Sequence, residues 1–301
     1  MPIPGRRALH RPMVNRGIVR AVRPLATFLS QDTLLRIPVA GVVEVRLPWE
    51  AGPPVLMAND GHDRIASMLF WKGVDGWEPK TIRTFLRLVS PGSTVVDVGA
   101  NSGLFSLLAA RRDPTVTVHA LEPVDRVFSL LESNVALNGL DNVVRHRLAC
   151  SDRSGPATLH VPAGEPVPVM ASLLSGWSDT SAAGEPVQCT TVDALVDANG
   201  IQTVDVVKID AEGSEDAVLR GARIALHDHR PFILAEVLGR RGLGASVTAA
   251  LADHEYRFFR LGPGGVHPCT EIAGGTDDDE NHNYLFAHAS RVGELDHRLT
   301  Q

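Results

Sequence analysis

Apolar residues Val14, Ile18, Val22, Leu25 and Leu29 recur at spacings of three and four. That spacing predicts one helix with a buried stripe, and its opposite face is rich in arginine. From Ile37 to Met57 the text turns β-rich, with "VVEVRL" ahead of a Gly-Pro-Pro break, which predicts a small hairpin. A helix is expected from Pro79, because proline suits the first turn, and it stops at Ser90-Pro91-Gly92.

A regular alternation begins at Thr94. Strand "TVVDV" is followed by a helix over 102–111, strand "TVTVHAL", a helix over 124–138 and strand "VVRHRLA". A β-like stretch near 157–161 precedes residues 162–186, whose Pro, Gly, Ser and Ala content reads as an irregular loop. "TTVDALVDANG" reads as a short helix. Strand "VDVVKID", a helix over 214–227, strand "FILAEV" and a helix over 243–253 follow. The chain closes with "YRFFRL", a Gly-Pro-Gly-Gly turn and "NYLFAH". Strands alternating with helices of this length predict an α/β fold, with a mostly parallel sheet covered on both faces and right-handed crossovers. The last two strands, joined by a short loop, are expected to form an antiparallel hairpin. The pattern divides the chain into an N-terminal accessory or lid segment, 1–76, and an α/β domain, 77–301.

Charge adds one asymmetry to this picture. The 301 residues carry a net −6, which argues against non-specific binding to nucleic acid. Residues 1–31 hold six arginines and no acid, so they carry about +6 and the rest about −12. The basic helix either packs on the main domain or rests on an anionic membrane surface or acidic partner. Three widely spaced cysteines fit neither a disulfide framework nor a zinc site, and a reducing cytosol is the simplest compartment. No apolar stretch approaches a membrane span, and no clean signal-peptide core follows the first arginines. Oligomeric state is not readable from the pattern.

The chemistry concentrates where "TVVDV" ends. Ligands of an open α/β sheet sit outside the carboxyl ends of the strands. Gly99 and Gly103 let a ligand approach the backbone, and the following helix points its N-terminal amides there. The pattern is Gly-x-x-x-Gly with Asn101 inside, not the Gly-x-Gly-x-x-Gly of a dinucleotide site. Asp97 just before it would repel a pyrophosphate and welcome an ammonium. A ligand with a nucleoside and an ammonium but no phosphate is S-adenosylmethionine, which displaces an NAD-dependent reductase as the reading. Glu122 lies 23 residues after Gly99, where an acid can hold both ribose hydroxyls, and equally where a solvated strand-end acid can sit. Ser151 and Asp152 fall where the adenine edge is expected, although Ser-Asp is also a common turn pair.

The blocks "DVGANSG", "LEP", "ACSD", "VVKIDAEGSEDAVLRGA" and "FILAEV" resemble the FkbM-type family of S-adenosylmethionine-dependent methyltransferases. The resemblance runs from about Trp77 to His288. It implies a class I methyltransferase (Rossmann-like) fold whose seven-stranded sheet ends in an antiparallel pair. It also implies methyl transfer to a hydroxyl of a small molecule: a sugar, a glycoside or a polyketide-type natural product. Ala211 and Ser214 depart from residues common in relatives.

In-line methyl transfer to a hydroxyl needs alignment, exclusion of water and removal of a proton. "KIDAEGSE" offers Asp210 as the acid nearest the methyl and Glu212 as a brace or acceptor contact. Glu215 in the first helical turn suits a simple capping role as well. Glu236, ending "FILAE", lies on the same sheet edge, with Arg240 a conceivable partner. Asp210, Glu212 and Glu236 are also hard oxygen ligands suited to magnesium, a second candidate that is not favoured; no metal is assigned. "DDDENHN", from Asp277, reads as a solvated loop rather than a metal site. Trp71, Trp77, Met170 and Trp177 are candidates for an acceptor pocket or for core. "IDAEG" lacks the Asn/Asp-Pro-Pro-aromatic block of nucleobase amino-methylases. A non-catalytic S-adenosylmethionine-binding protein remains the alternative from another class.

Overall fold

The computed structural model describes residues 12–49, 52–162, 167–168, 170–176, 182–239, 242–273 and 282–300. Helix α1 (Pro12–Val22) does not carry the predicted stripe to Leu29, because Pro24 opens a 3-10 turn over Arg23–Phe28. A 3-10 turn has three residues per turn, so the 3.6-residue stripe loses its phase there. Val19, Val22 and Leu29 still pack against the core, but Leu25 is 56% exposed. Helix α2 (Gln31–Leu35) is capped by Ser30, whose Oγ accepts the Thr33 N–H.

Strands β1 (Ala40–Val45) and β2 (Val55–Asp60) form the expected antiparallel hairpin. Helices α3 (Arg64–Lys72) and α4 (Pro79–Leu88) follow, α3 capped by Asp63. The alternating region supplies β3 (Thr94–Val98), α5 (Leu104–Arg112), β4 (Thr117–Leu121), α6 (Asp125–Asn138) and β5 (Val143–His146). Then come β6 (Ala149–Cys150), β7 (Gly155–Pro162), β8 (Ala182–Thr190), α7 (Val192–Ala198), β9 (Val206–Ile209) and α8 (Glu215–Arg220). The chain ends with β10 (Phe232–Glu236), α9 (Leu243–Leu251), β11 (Tyr256–Gly262), β12 (Gly265–Cys269), β13 (Asn283–His288) and α10 (Val292–Thr300).

The main sheet has eight strands, not seven, and it is mixed, in the order β12-β11-β13-β10-β9-β3-β4-β5. Strands β5, β4, β3, β9 and β10 are parallel; β13 runs against both β10 and β11. The terminal hairpin is also corrected. The tight turn at Pro263-Gly264 reverses the chain at once, so β11 pairs with β12 as its hairpin partner. Strand β12 is the sheet edge, where Pro268 leaves no ladder donor missing. Strand β13 then inserts between β10 and β11, and most of "DDDENHN" lies outside the described residues.

A second correction concerns residues 182–190, partly read as loop. They form β8, paired with β7 from Pro162↔Ala182 to Gly155↔Cys189, in a small side sheet with β6. An extended partner sets this pairing, and the strand's own Gly and Pro content does not prevent it.

Two hydrophobic cores cover the two faces of the main sheet. One takes the N-terminal segment, α4 to α6 and α10; the other takes α7 to α9. Val43, Met57, Met68 and Leu69 thus share a core with Val95, Leu107 and Leu234. The described part of the 1–76 segment is built into the same face as the sheet.

Candidate active site

Strand β3 is buried on both faces, so a charge inside it must be neutralised or held. Val96 and Val98 face the α7–α9 side, which turns Asp97 to the α5 side. There Ser106 Oγ donates to Asp97 Oδ2 at 2.6 Å, and burial pushes the carboxyl up to about 6. Asp97 is 1% exposed and does not line the cavity.

The turn after β3 packs directly on the end of β9. Gly99 has φ +74, and a Cβ there would collide with the Asp210 carbonyl oxygen. That close approach is why glycine stands at this position. Asn101 follows with φ 49, donates its N–H to Glu122 Oε2 at 3.1 Å and donates Nδ2 to the Pro168 carbonyl at 3.1 Å. Glu122 also accepts the Val124 N–H on Oε1 at 2.8 Å. It is 5% exposed, and burial, opposed by these N–H groups, pushes its carboxyl up to about 7.

At the end of β9, Glu215 Oε1 accepts the N–H groups of Ala211 and Gly213, at 3.0 and 3.1 Å. Its carboxyl is pushed up to about 7 by burial. Glu215 therefore braces the 211–214 turn. Glu212 sits in that turn with φ 48, and its carbonyl accepts from Ser172 Oγ at 2.6 Å. Acid oxygens of Asp210, Glu212 and Glu236 come within 4.8 Å of one another. Burial raises the Glu236 carboxyl well above the ordinary range, and Asp210, Glu78 and Glu212 push it the same way.

Beneath these acids lies Lys208, 1% exposed, with Nζ 3.6 Å from Asp210 Oδ2 and 5.0 Å from the Phe105 ring centroid. Burial alone would lower its pKa, yet Asp210, Glu78, Glu236 and Asp97 together raise it. Glu78, in a left-handed conformation just before α4, faces the same group, and burial raises its carboxyl too. Sequence reasoning missed both residues. Lys208 carried a signal, since a lysine inside an otherwise apolar strand must be paired. Glu78 carried none.

These loop ends enclose a cavity of about 890 Å³. Gly99, Asn101, Glu122, Asp210, Glu212 and Glu236 all line it. Gly103, Ser151 and Asp152 do not, along with Asp97. Gly103 packs against Leu131, and Asp152 pairs with Arg220 at 3.2 Å on the outer surface. The wall near the expected adenine edge is Leu148, Ala149 and Cys150 instead. Trp77 and Met170 line the cavity, Trp71 is buried elsewhere, and Trp177 and Arg240 lie outside the described residues. The 1–76 segment contributes Gln31, Arg64, Ile65, Met68 and Lys72 to the same cavity.

A mixed α/β sheet whose parallel strands gather their end loops round one such cavity, with β13 inserted antiparallel between β10 and β11, is a class I methyltransferase-like fold. The family model described as the methyltransferase FkbM domain matches residues 97–258. A 31-O-demethyl-FK506 methyltransferase, FkbM, of Streptomyces tacrolimicus is 30% identical over 214 residues, 58% of this chain and 78% of that protein. A methyltransferase, sdnD, of Sordaria araneosa is 25% identical over 193 residues, 55% of this chain and 74% of its own. The crystal structure of a methyltransferase FkbM from Methylobacillus flagellatus KT is similar with TM-score 0.44 and 16% identity. That match spans 77% of this chain and 56% of the other. The chain belongs to the FkbM methyltransferase family.

Proposed function

We propose that the chain transfers a methyl group from S-adenosylmethionine to a hydroxyl of a small molecule, a sugar, glycoside or polyketide-type natural product. The observation that carries this reading is the single cavity shared by Glu122 at one end and the Asp210, Glu212 and Glu236 group at the other. Bound there, the donor would supply an activated methyl on sulfur. Glu122 holds the two ribose hydroxyls, since each of its oxygens keeps a lone pair after accepting one backbone N–H. Gly99 and Asn101 give the methionine end a backbone surface. Asp97, held by Ser106, keeps the turn in place and does not touch the donor. Leu148 to Cys150 offer the nucleobase an apolar wall.

Asp210 takes the acceptor hydroxyl proton as the new C–O bond forms and the C–S bond breaks. Lys208 is a positioning residue: its buried ammonium lies 3.6 Å from Asp210 Oδ2 and fixes that side chain. Glu212 and Glu236 hold the acceptor, and the residues of the 1–76 segment cover it from water. Incubation with labelled donor and a panel of glycosides, macrolides and aromatic hydroxyl compounds tests the reading. Donor binding with no label transfer to any hydroxyl would favour a non-catalytic binding protein.

One observation favours a second reading. Three carboxylates within 4.8 Å suit a magnesium ion that lowers the acceptor hydroxyl's pKa. Activity lost with a chelator and restored by magnesium would select it. The nearby Lys208 ammonium already supplies one positive charge to Asp210, which weighs towards the metal-free reaction.

A further inference from the structure

The 3-10 turn over Arg23–Phe28 does more than interrupt a stripe. In such a turn residues three apart eclipse, so Leu25 and Phe28 lie on one face. Ala26 is 1% exposed and marks the buried side; Leu25 is 56% and Phe28 86% exposed. Arg23 stacks over the Phe70 ring at 4.8 Å, and Val22 and Leu29 pack on the core, so the turn is anchored on both sides of its outward face. Exposed Arg20, Arg23 and Arg36 flank the two apolar residues along the chain, and Asp32 is the single acid between positions 12 and 36. Three residues beyond Phe28, exposed Gln31 lines the cavity, which puts this corner at its rim.

We propose that Leu25 and Phe28, on a segment whose exposed charges are mostly arginine, dock the protein on a bilayer surface carrying anionic lipid, with the cavity rim beside the membrane. Two protruding apolar side chains need a soft apolar phase to enter, and the arginines need anionic headgroups next to it. A second copy fits poorly, because a two-fold contact would set this arginine-rich corner against itself. The inference does not depend on the reaction assigned to the cavity.

Flotation of the full chain with vesicles tests it. The chain should float with vesicles of phosphatidylcholine containing about 30 mol% phosphatidylglycerol, and not with phosphatidylcholine alone. About 0.5 M salt should release it. The double variant Leu25→Ser, Phe28→Ser should partition at least about tenfold more weakly, while its melting temperature stays near that of the parent. Phe28→Trp should keep binding, with its added emission shifted to the blue on anionic vesicles alone. Failure to float with anionic vesicles, or flotation unchanged in the double variant, would overturn the proposal. So would an unshifted Phe28→Trp signal, or a dimer in sedimentation that the double variant dissociates.

Discussion

The two ends of the cavity solve the problem of buried carboxylates in opposite ways. At the β3–β4 end, Glu122 is held by the N–H groups of Asn101 and Val124, and Asp97 by a serine hydroxyl. These are short, local, directional bonds, and they fix a surface before any ligand arrives. At the β9–β10 end, no backbone N–H among the described residues reaches the side chain of Asp210 or Glu236. What they share is one buried ammonium, that of Lys208, 3.6 Å from Asp210 Oδ2. One end is preorganised by hydrogen bonds, and the other gathers more carboxyl groups than its one lysine can pair. The difference matches the two tasks proposed for the site: binding a ligand of fixed shape, and moving a proton.

The sharpest way to break this contrast is Asp210→Asn. Methyl transfer should fall by about 10²–10⁴-fold, the usual range for loss of a general base, while calorimetry shows donor affinity intact. Full activity would remove Asp210 from the chemistry and move attention to Glu212 and to buried His282, which also lines the cavity. At the other end, Glu122→Ala should weaken donor binding by about 2–4 kcal/mol, because two charge-assisted bonds are lost. The same residue gives a pH test. Its carboxyl is raised to about 7, so donor affinity should climb as pH rises from 5 to 7 and level off above. The fold responds with the opposite sign. A raised carboxyl pKa stabilises the folded state below the ordinary carboxylate value, and that contribution is lost as pH approaches 7. Glu122→Gln should flatten both curves.

A smaller effect is expected for Lys208→Met. Asp210 keeps 29% of its side-chain surface, so the cost should be about 2 kcal/mol of stability, below the usual 3–5 kcal/mol for breaking a fully buried pair. Lys208→Arg should recover part of it, and a shifted pH–rate profile in Lys208→Met would separate positioning from mere packing. The smallest effect belongs to Asp152→Ala. Its ion pair with Arg220 is on the surface, so stability should change by about 0.5 kcal/mol or less and donor binding not at all. A large loss of donor affinity there would restore Asp152 to the adenine edge.

The parts legible in the sequence are those set by local rules. Strands β3, β4, β9 and β10 announce themselves by mostly apolar runs, β3, β4 and β9 each carrying one titratable residue inside, and acids stand where the runs stop. Which way a side chain points is less local. Asp97 looked like a ligand group because it precedes the glycine turn, but the two-residue period of a strand sends it towards α5. Strand β8 was hidden because its partner, not its composition, makes it extended. The insertion of β13 and the cavity residues Gln31 and Arg64 depend on tertiary contacts between distant segments, which no window of sequence contains.

The asparagines of α6 carry a consequence for how the chain is assembled. Leu56 N–H donates to Asn138 Oδ1, 82 residues away in sequence, and Ala58 N–H donates to Asn134 Oδ1. Asn138 Nδ2 returns a bond to the Leu56 carbonyl. A two-stranded hairpin is marginal alone, and here the outer edge of β2 is sealed by side chains rather than by another strand. The β1–β2 hairpin therefore lacks this seal until α6, about 80 residues further along the chain, has been made. The interval before α6 is made is when the outer edge of β2 is most open to pairing with a neighbouring chain.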